Sequence, residues 1–583
     1  MENFLKYLLA TIVGIMITGF IGMMFFLMLV FAMLSGGNQM PAIKSGSVLE
    51  LKLSGNLVER SEPTFLTSVI SNKQKLEIAL DDVLESIAKA KENKKIEGIL
   101  LNCGMLNTDY MASLEEIRAA LADFKQSGKW VVAYGDAYSQ RLYYLSSVAD
   151  RIFLNPKGTV ELKGLASRPV FYKGLLDKLG IEMQVLKVGT YKSFAEQFTN
   201  TQMSAENREQ VTQLGKSLWY NILGDISDDR DIPVITLNAY ADRFMTFEPA
   251  EKMLEYGLVD ELAYYDQLID YLNNKSSTGK AEFVDLSKMT RLPKTGENLK
   301  YKIAVVYANG EIDDSNEESI TAIHSAQFVQ MLEDIRKDSL IKAVVLRINS
   351  PGGSAFGSEQ IWHAVNLIAQ EKPVIASMGG VAASGGYYIA TAADTIIAQS
   401  TTITGSIGVF GIIPNVGGLA DKIGVSFDVV KTNPMADFPA IDRPLESAEI
   451  TSLQSYIDRT YALFISRVSK GRNMSEADVE NIAQGRVWSG MDATELGLTD
   501  RLGSLQTAID IAKDRINVPA QIVKYPKITE NFWTSFLSEI SGEYEARIMK
   551  NRLGEYAAFY EKLNNIENLP AVQARMPFDI IIR

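Results

Sequence analysis

Two long stretches of this 583-residue sequence repeat one another, and that repetition limits the fold more than any other feature. SVLELKLSGNLVERS, from Ser47, resembles KIAVVYANGEIDDS, from Lys302. IEGILLNCG, from Ile96, matches IKAVVLRINSPGG, from Ile341. KWVVAYGDAYSQRLYYLSSVADRIFLN matches KPVIASMGGVAASGGYYIATAADTIIAQ, so that Tyr143/Tyr387, Tyr144/Tyr388 and Asp150/Asp394 all fall 244 positions apart. LGIEMQVLKVG, from Leu179, and IGVSFDVVKTN, from Ile423, keep the same offset, and RFMTFEPAEKMLEYGLVDEL matches RVWSGMDATELGLTDRL. In each copy short apolar runs of strand character alternate with helical segments. This pattern predicts βα units around a largely parallel sheet, an α/β fold used twice. Each copy is long enough for its own core. The expected organisation is residues 1–45 as N-terminal tip and apolar helix, 46–275 as repeat 1, 276–300 as a polar linker, 301–525 as repeat 2, and 526–583 as an extension with one or two amphipathic helices.

Where the copies disagree, one of them has kept something the fold does not need. Repeat 2 has Ser384 within MGGVAASGGYY, where repeat 1 has Gln140. Repeat 2 also has the turn INSPGGS, from Ile348, where repeat 1 reads LNCGMLN without Pro-Gly-Gly. In the other direction, repeat 1 has Lys192 in VGTYKSFAEQF, and the offset leads to Ala436. Lys187 pairs with Lys431 and so reads as structural.

A serine hydroxyl becomes a useful nucleophile when a base takes its proton. Ser384 lies among Ala382, Ala383, Gly385 and Gly386, small neighbours that admit a substrate backbone. A serine at a strand-to-helix turn also has backbone N–H groups beside its oxygen, which can hold an oxyanion. The glycines of Ser350-Pro351-Gly352-Gly353 could aim a second donor, since glycine tolerates unusual backbone angles. Read singly, Ser384 is equally compatible with close helix packing, and Gly352 and Gly353 read better as an ordinary turn. The chain has only two histidines, His324 and His363, neither in a suggestive setting. A lysine base needs no histidine, and Ser-Lys pairs are a recognised variant. Its amine must be neutral, which burial favours. Lys192 has Val188, Gly189, Tyr191 and Phe194 nearby, consistent with partial burial.

Leu8–Leu34 contains no charged residue, and a membrane span needs about 20 apolar residues. A cleaved signal peptide would have a shorter apolar region and a small-residue cleavage site after it. An uncleaved anchor is therefore expected, with the N-terminus in the cytoplasm and the body outside. The net charge of −13 argues against a nucleic-acid partner. The single cysteine, Cys103, excludes an internal disulfide and a Cys cluster for zinc. No metal and no cofactor is expected.

Taken together, INSPGGS, MGGVAASGGYYIATAAD, TTITGSIGVFG from Thr401, GRVWSGMDATELGLTD from Gly485 and the lysine motif VGTYKSFAEQF resemble the signal peptide peptidase A family, in its long bacterial form with two fused domains. The resemblance covers roughly residues 47–520 and the N-terminal anchor. It implies tandem Clp/crotonase-like domains, with Ser384 as nucleophile and Lys192 as general base donated across the domain boundary. Gly352 or Gly353 and the N–H of Gly385 would form the oxyanion hole. It further implies a homotetramer on the outer face of the cytoplasmic membrane, held to lipid through residues 8–34, that degrades cleaved signal peptides and similar apolar peptides. Two other readings are a crotonase-type acyl-thioester enzyme, which would bind coenzyme A, and a non-catalytic membrane scaffold.

Overall fold

The computed structural model describes residues 2–35, 42–60, 77–293, 299–315, 322–527 and 572–576. The amphipathic helices expected after residue 526 lie outside the described residues. Glu2–Ser35 forms one helix, α1. The expected span over Leu8–Leu34 is met as a helix only. Among the described residues no helix is long and apolar enough to cross a membrane.

Repeat 1 builds a parallel sheet from β1 (Ser47–Val58), β2 (Ile96–Asn107), β3 (Trp130–Tyr138) and β4 (Arg151–Val160), paired in that order. Glu282–Asp285, within the stretch expected to be a linker, pairs in parallel with Ser47–Glu50 of β1 and completes this sheet. Its register puts Val284 into the core. Repeat 2 repeats the arrangement with β6 (Tyr301–Asn309), β7 (Ile341–Ser350), β9 (Val374–Ala383) and β10 (Thr395–Ala398), and Ala520–Tyr525 closes its edge along β6. Strands buried on both faces read as continuous apolar runs, as VVLRI and VIASMGGVAA do.

The residues kept in both copies do the same structural work in each. Tyr143 Oη donates to the Leu258 carbonyl at 2.9 Å, and Tyr387 Oη to the Leu498 carbonyl at 2.8 Å. Asp150 and Asp394 each accept the N–H that opens the neighbouring strand, from Val131 and Val374, both at 2.8 Å. The same fixed hydrogen-bond partners in both copies account for the pairs that survive duplication.

A third sheet joins the copies. From repeat 1 comes β5 (Glu182–Val188), which runs antiparallel to β11 (Val409–Asn415) of repeat 2 over seven residue pairs. The short strand β8 (Gly352–Ser354) lies in the same sheet. Between β8 and β11 runs β12 (Val572–Arg575), antiparallel to both. Helix α2 (Ala112–Lys125) of repeat 1 also docks on repeat 2. Its Glu115 accepts from the Thr401 N–H and both Ser400 and Thr401 hydroxyls. Glu116 and Glu59 hold the fully buried Arg347 guanidinium, at 2.8 and 3.1 Å. The repeat 1 core takes in Val381, Ala383, Ile403 and Val487 from repeat 2. The two units therefore share a buried boundary.

Candidate active site

Ser384 stands where β9 ends and helix α3 (Gly385–Ala390) begins. Its backbone has φ 55° and ψ −115°, a conformation that L-residues rarely adopt. The surroundings hold it there: the Ser384 N–H donates to the Gly405 carbonyl at 2.8 Å, and its carbonyl accepts from the Tyr388 N–H at 2.8 Å. A non-glycine residue kept in such a conformation marks a site where geometry outweighs local stability.

Lys192 lies in the loop after β5. Pairing of β5 with β11 carries this loop to the repeat 2 site. The Tyr191 N–H donates to the Gln484 carbonyl at 2.9 Å, and Lys187 Nζ donates to the carbonyl of Lys192 at 3.2 Å. Lys187 is thus the structural prop its pairing with Lys431 predicts. Gln210 adds a brace, donating to the Tyr191 carbonyl at 2.8 Å. Gly485, at φ +79°, leaves room for the lysine, because a Cβ there would sit 2.7 Å from Lys192 Cβ.

The lysine amine ends 2.8 Å from Ser384 Oγ. It also lies 3.0 Å from both the carbonyl oxygen and Oγ of Ser406. Lys192 and Ser384 are 1% and 0% exposed, so neither group meets bulk water here. Burial pushes the lysine amine well below its ordinary pKa, with no carboxylate among its partners to oppose this. A neutral amine has two N–H groups and one lone pair. The two oxygens of Ser406 can take the former, which leaves the lone pair for the Ser384 hydroxyl.

Ser406 was not singled out from the sequence, although a signal existed: 244 positions earlier stands Leu162. Like Ser384 it has a positive φ, 52°, and its N–H donates to the Arg486 carbonyl at 2.6 Å.

Of the three glycines expected at an oxyanion hole, Gly385 follows Ser384 and Gly352 packs against Gly385, whereas Gly353 packs against Ile312 and pairs with Ala574. Gly352, at φ +95°, faces Gly385 so closely that a Cβ there would be 2.6 Å from the Gly385 nitrogen. The Gly352 N–H is engaged, donating to Ser350 Oγ at 3.2 Å. Gly385 opens α3, where backbone N–H groups have no partner within the helix. Neither histidine joins the site. His324 Nδ1 contacts Asp313 and Ser315, both at 2.7 Å, and His363 is exposed on the helix Ala355–Ala369. Cys103 is buried, which pushes its thiol up to about 12 and leaves it inert. Among the described residues there is no group of His, Cys, Asp and Glu that could hold a metal ion.

The matching place in repeat 1 is closed. The Gln140 carboxamide accepts from the Lys163 and Gly164 N–H groups at 2.9 and 3.0 Å and donates to the Gly164 carbonyl at 3.2 Å. Ala436, the counterpart of Lys192, is exposed. A serine and a lysine therefore meet at one of the two equivalent places.

Comparison with known proteins fits this division. The model of peptidase family S49 matches residues 123–278 and again 366–519, and a Clp protease model matches residues 299–403. Protease 4 of Haemophilus influenzae is 37% identical over 518 residues, which span 85% of this chain and 84% of that protein. Protease 4 of Salmonella typhi is 36% identical over 492 residues, covering 82% of this chain and 79% of the other. A chloroplastic serine protease SPPA of Arabidopsis thaliana is 33% identical over 487 residues, covering 82% and 70%. A family match in both repeats, with relatives aligned across most of the sequence, establishes that this chain belongs to peptidase family S49 and is a serine protease.

Proposed function

We propose that the chain is a membrane-bound serine endopeptidase in which Ser384 is the nucleophile and Lys192 the general base, acting on signal peptides and similar apolar peptides. The observation that carries this reading is the 2.8 Å approach of the Lys192 amine to Ser384 Oγ within a buried, carboxylate-free pocket. The lone pair of Nζ takes the Ser384 proton as Oγ adds to the peptide carbonyl carbon. The N–H groups of Gly385 and Gly353 receive the developing oxyanion; such a donor is worth about 2.7–4 kcal/mol of barrier. The carbon–nitrogen bond then breaks, and the leaving amine takes the proton back from Nζ. Water attacks the resulting ester, with Nζ again accepting the proton.

The exposed apolar side chains of α1, among them Ile15, Met16, Phe20 and Phe25, need cover. A lipid bilayer crossed by residues 8–34 supplies it, with the body on the extracytoplasmic side. Assembly as a homotetramer follows from the family resemblance.

Purified protein in detergent, given an apolar signal-peptide substrate, tests the reading. Wild type is expected to cut internal bonds and Ser384→Ala to lose this activity. Undiminished hydrolysis by Ser384→Ala removes the assignment. Carbonate-resistant sedimentation with membranes, lost on deletion of residues 1–35, tests the anchor. Light scattering in detergent tests the tetramer.

A further inference from the structure

Glu115 is a buried acid of repeat 1 whose carboxylate is met by donors of repeat 2. It lies in the first turn of α2 and accepts from the Ser400 hydroxyl, from the Thr401 N–H at 3.0 Å and from the Thr401 hydroxyl at 2.7 Å. A buried acid needs such donors, because its lost hydration must be replaced. Comparing the copies shows that this contact belongs to the boundary alone. The counterpart of Glu115, 244 positions later, is Glu359. Glu359 stays within its own repeat, accepting from Tyr388 Oη at 2.6 Å and pairing with Arg467 at 2.5 Å. In repeat 1 the matching tyrosine, Tyr144, donates to Asp225 instead, at 2.5 Å, which releases Glu115 to reach across. The receiving loop differs as well. Repeat 2 has Ser400-Thr401 where repeat 1 has Pro156-Lys157, with no hydroxyl to offer.

The loop that Glu115 holds leads straight to the reacting groups. Just beyond Thr401 comes the short strand Ile403–Gly405, which lies parallel to the end of β9, with Ala383 opposite Gly405. The Gly405 carbonyl accepts the Ser384 N–H at 2.8 Å and so fixes the backbone of the nucleophile. The next residue, Ser406, offers its carbonyl and Oγ to Lys192 Nζ, both at 3.0 Å. The stretch from Thr401 to Ser406 therefore has Glu115 at one end and the supports of Ser384 and Lys192 at the other. Thr402 and Thr404 fix it to β9, donating to the Gly379 and Ala382 carbonyls at 2.8 and 2.7 Å. Those anchors belong to repeat 2. Glu115, with Asn221 donating to the Ser400 carbonyl at 3.4 Å, is the anchor from repeat 1, the repeat that also supplies Lys192.

We infer that Glu115 is a positioning residue for the reaction: by holding Ser400 and Thr401 it fixes where Ser406 meets the Lys192 amine. The inference rests on the role of base proposed for Lys192. Without the carboxylate, the donors of Ser400 and Thr401 are buried and unpaired, so the loop must move to find other partners. A movement passed on to Ser406 takes its oxygens from Nζ. The lone pair is then no longer held toward Ser384 Oγ, and water reaches the amine. Burial is what depresses the Lys192 amine, so hydration returns it toward its ordinary value. The ionisable side chains on the elements around Lys192 are engaged elsewhere. Lys187 bonds the Lys192 carbonyl, Glu196 accepts from Ser204 and Asn207, and Arg486 pairs with Glu209. Beside Glu115, Asp225 accepts from Tyr144, and Arg118 pairs with Asp229. A glutamine at 115 meets the same needs as the acid. Its carboxamide oxygen can accept from both Thr401 donors, and its NH2 can donate to a Ser400 hydroxyl that has turned its own proton away. Hydrogen bonding at this place, rather than charge, is what the loop requires.

Hydrolysis of an apolar peptide by the full chain in detergent, followed across pH, tests this. The proteins are wild type, Glu115→Ala, Glu115→Gln, Thr401→Val, the Glu115→Ala/Thr401→Val double variant and Lys192→Met. The acid limb of kcat/KM reports the base of the free enzyme. Glu115→Ala is expected to lower kcat by about 10–100-fold with KM little changed, and to move that limb to higher pH. Glu115→Gln should restore both kcat and the limb. Thr401→Val should act in the same direction by a smaller factor, and the double variant should be no slower than Glu115→Ala, as a shared contact requires. Thr401→Val also reads the contact from its other side if the alanine variant does not fold. Wild-type kcat in both Glu115→Ala and Thr401→Val overturns the inference. So does a loss of kcat that leaves the limb in place or that glutamine does not restore, since Glu115 would then serve the fold alone. If either result comes with an inactive Lys192→Met, the positioning role fails by itself. If Lys192→Met hydrolyses the peptide at the wild-type rate, the base assignment fails and the positioning role with it.

Discussion

Replacing Lys192 by Met keeps the length and most of the volume of the side chain while removing the amine. In the structure that amine touches Ser384 Oγ at 2.8 Å and the two Ser406 oxygens at 3.0 Å, and nothing charged. Two effects of opposite benefit follow. A positioned base contributes roughly 10²–10⁴-fold, so kcat for a signal-peptide substrate should fall by that factor, equivalent to about 3–5 kcal/mol of barrier. Stability should respond in the other direction. Burial holds the Lys192 amine well below its ordinary value, so the unfolded chain binds the proton more readily than the folded one. Wild-type stability therefore rises with pH, from the depressed folded pKa up to the unfolded value near 10.4. Lys192→Met removes this contribution, and its melting temperature should gain most over wild type at the acid end of that range. The paired assay is stopped-flow or fluorogenic peptide hydrolysis together with thermal melts at several pH values. A kcat within tenfold of wild type refutes the base assignment. A melt that falls in parallel with wild type at every pH refutes the claim that a buried, unpaired amine is held there at a cost.

Gly485→Ala puts a methyl group 2.7 Å from Lys192 Cβ at a backbone φ of +79°. It should cost about 1–3 kcal/mol in thermal stability and up to about 100-fold in kcat, with KM changed less, by steady-state kinetics. Glu115→Gln tests the repeat boundary. Burial first, opposed by hydrogen bonds from Ser400 and Thr401, raises the Glu115 carboxyl from 4.5 to about 7. Wild type should lose about 3 kcal/mol of stability as pH rises between these values, and the glutamine variant should not, by denaturant titration across pH. Arg347→Met leaves Glu59 and Glu116 buried without their cation. It should destabilise by about 3–5 kcal/mol at neutral pH, by calorimetry.

Comparing the copies singles out Ser384 and Lys192 because the equivalent places hold Gln140 and Ala436. The same comparison contains Ser406 against Leu162, but a serine in TTITGSIGVFG also reads as a turn residue, and its positive φ is invisible in the sequence. Arg347 reads as an interruption in an apolar strand until Glu59 and Glu116 arrive from the other repeat. The strand at Val572–Arg575 was illegible for a related reason. The alternation in VQARM is only five residues long, too short to stand out, and its partners, Gly353 and Phe410, lie more than 150 positions earlier. Local pattern fixes which face of a strand is apolar, whereas pairing between distant segments depends on the assembled sheet. Glu282–Asp285 shows the same limit, since a polar stretch hides four residues that complete a sheet begun at Ser47.

The division of the site explains why both repeats persist although only one place holds the serine and lysine together. Lys192 is placed by strand register: seven pairs between β5 and β11 end at Val188–Val409, four residues before the lysine. A slip of one residue would turn every side chain of β5 to the opposite face and carry the lysine loop away from Gln484 and Gly485. Repeat 1 holds Gln140 where repeat 2 has the serine, and it presents its lysine loop to repeat 2 through the pairing of β5 with β11. The buried Arg347 and Glu115 contacts oppose the same slip from the far side of the boundary, although neither group touches Ser384 or Lys192. Substitutions at that boundary should therefore lower kcat in proportion to the mobility they give β5, even where the fold survives them.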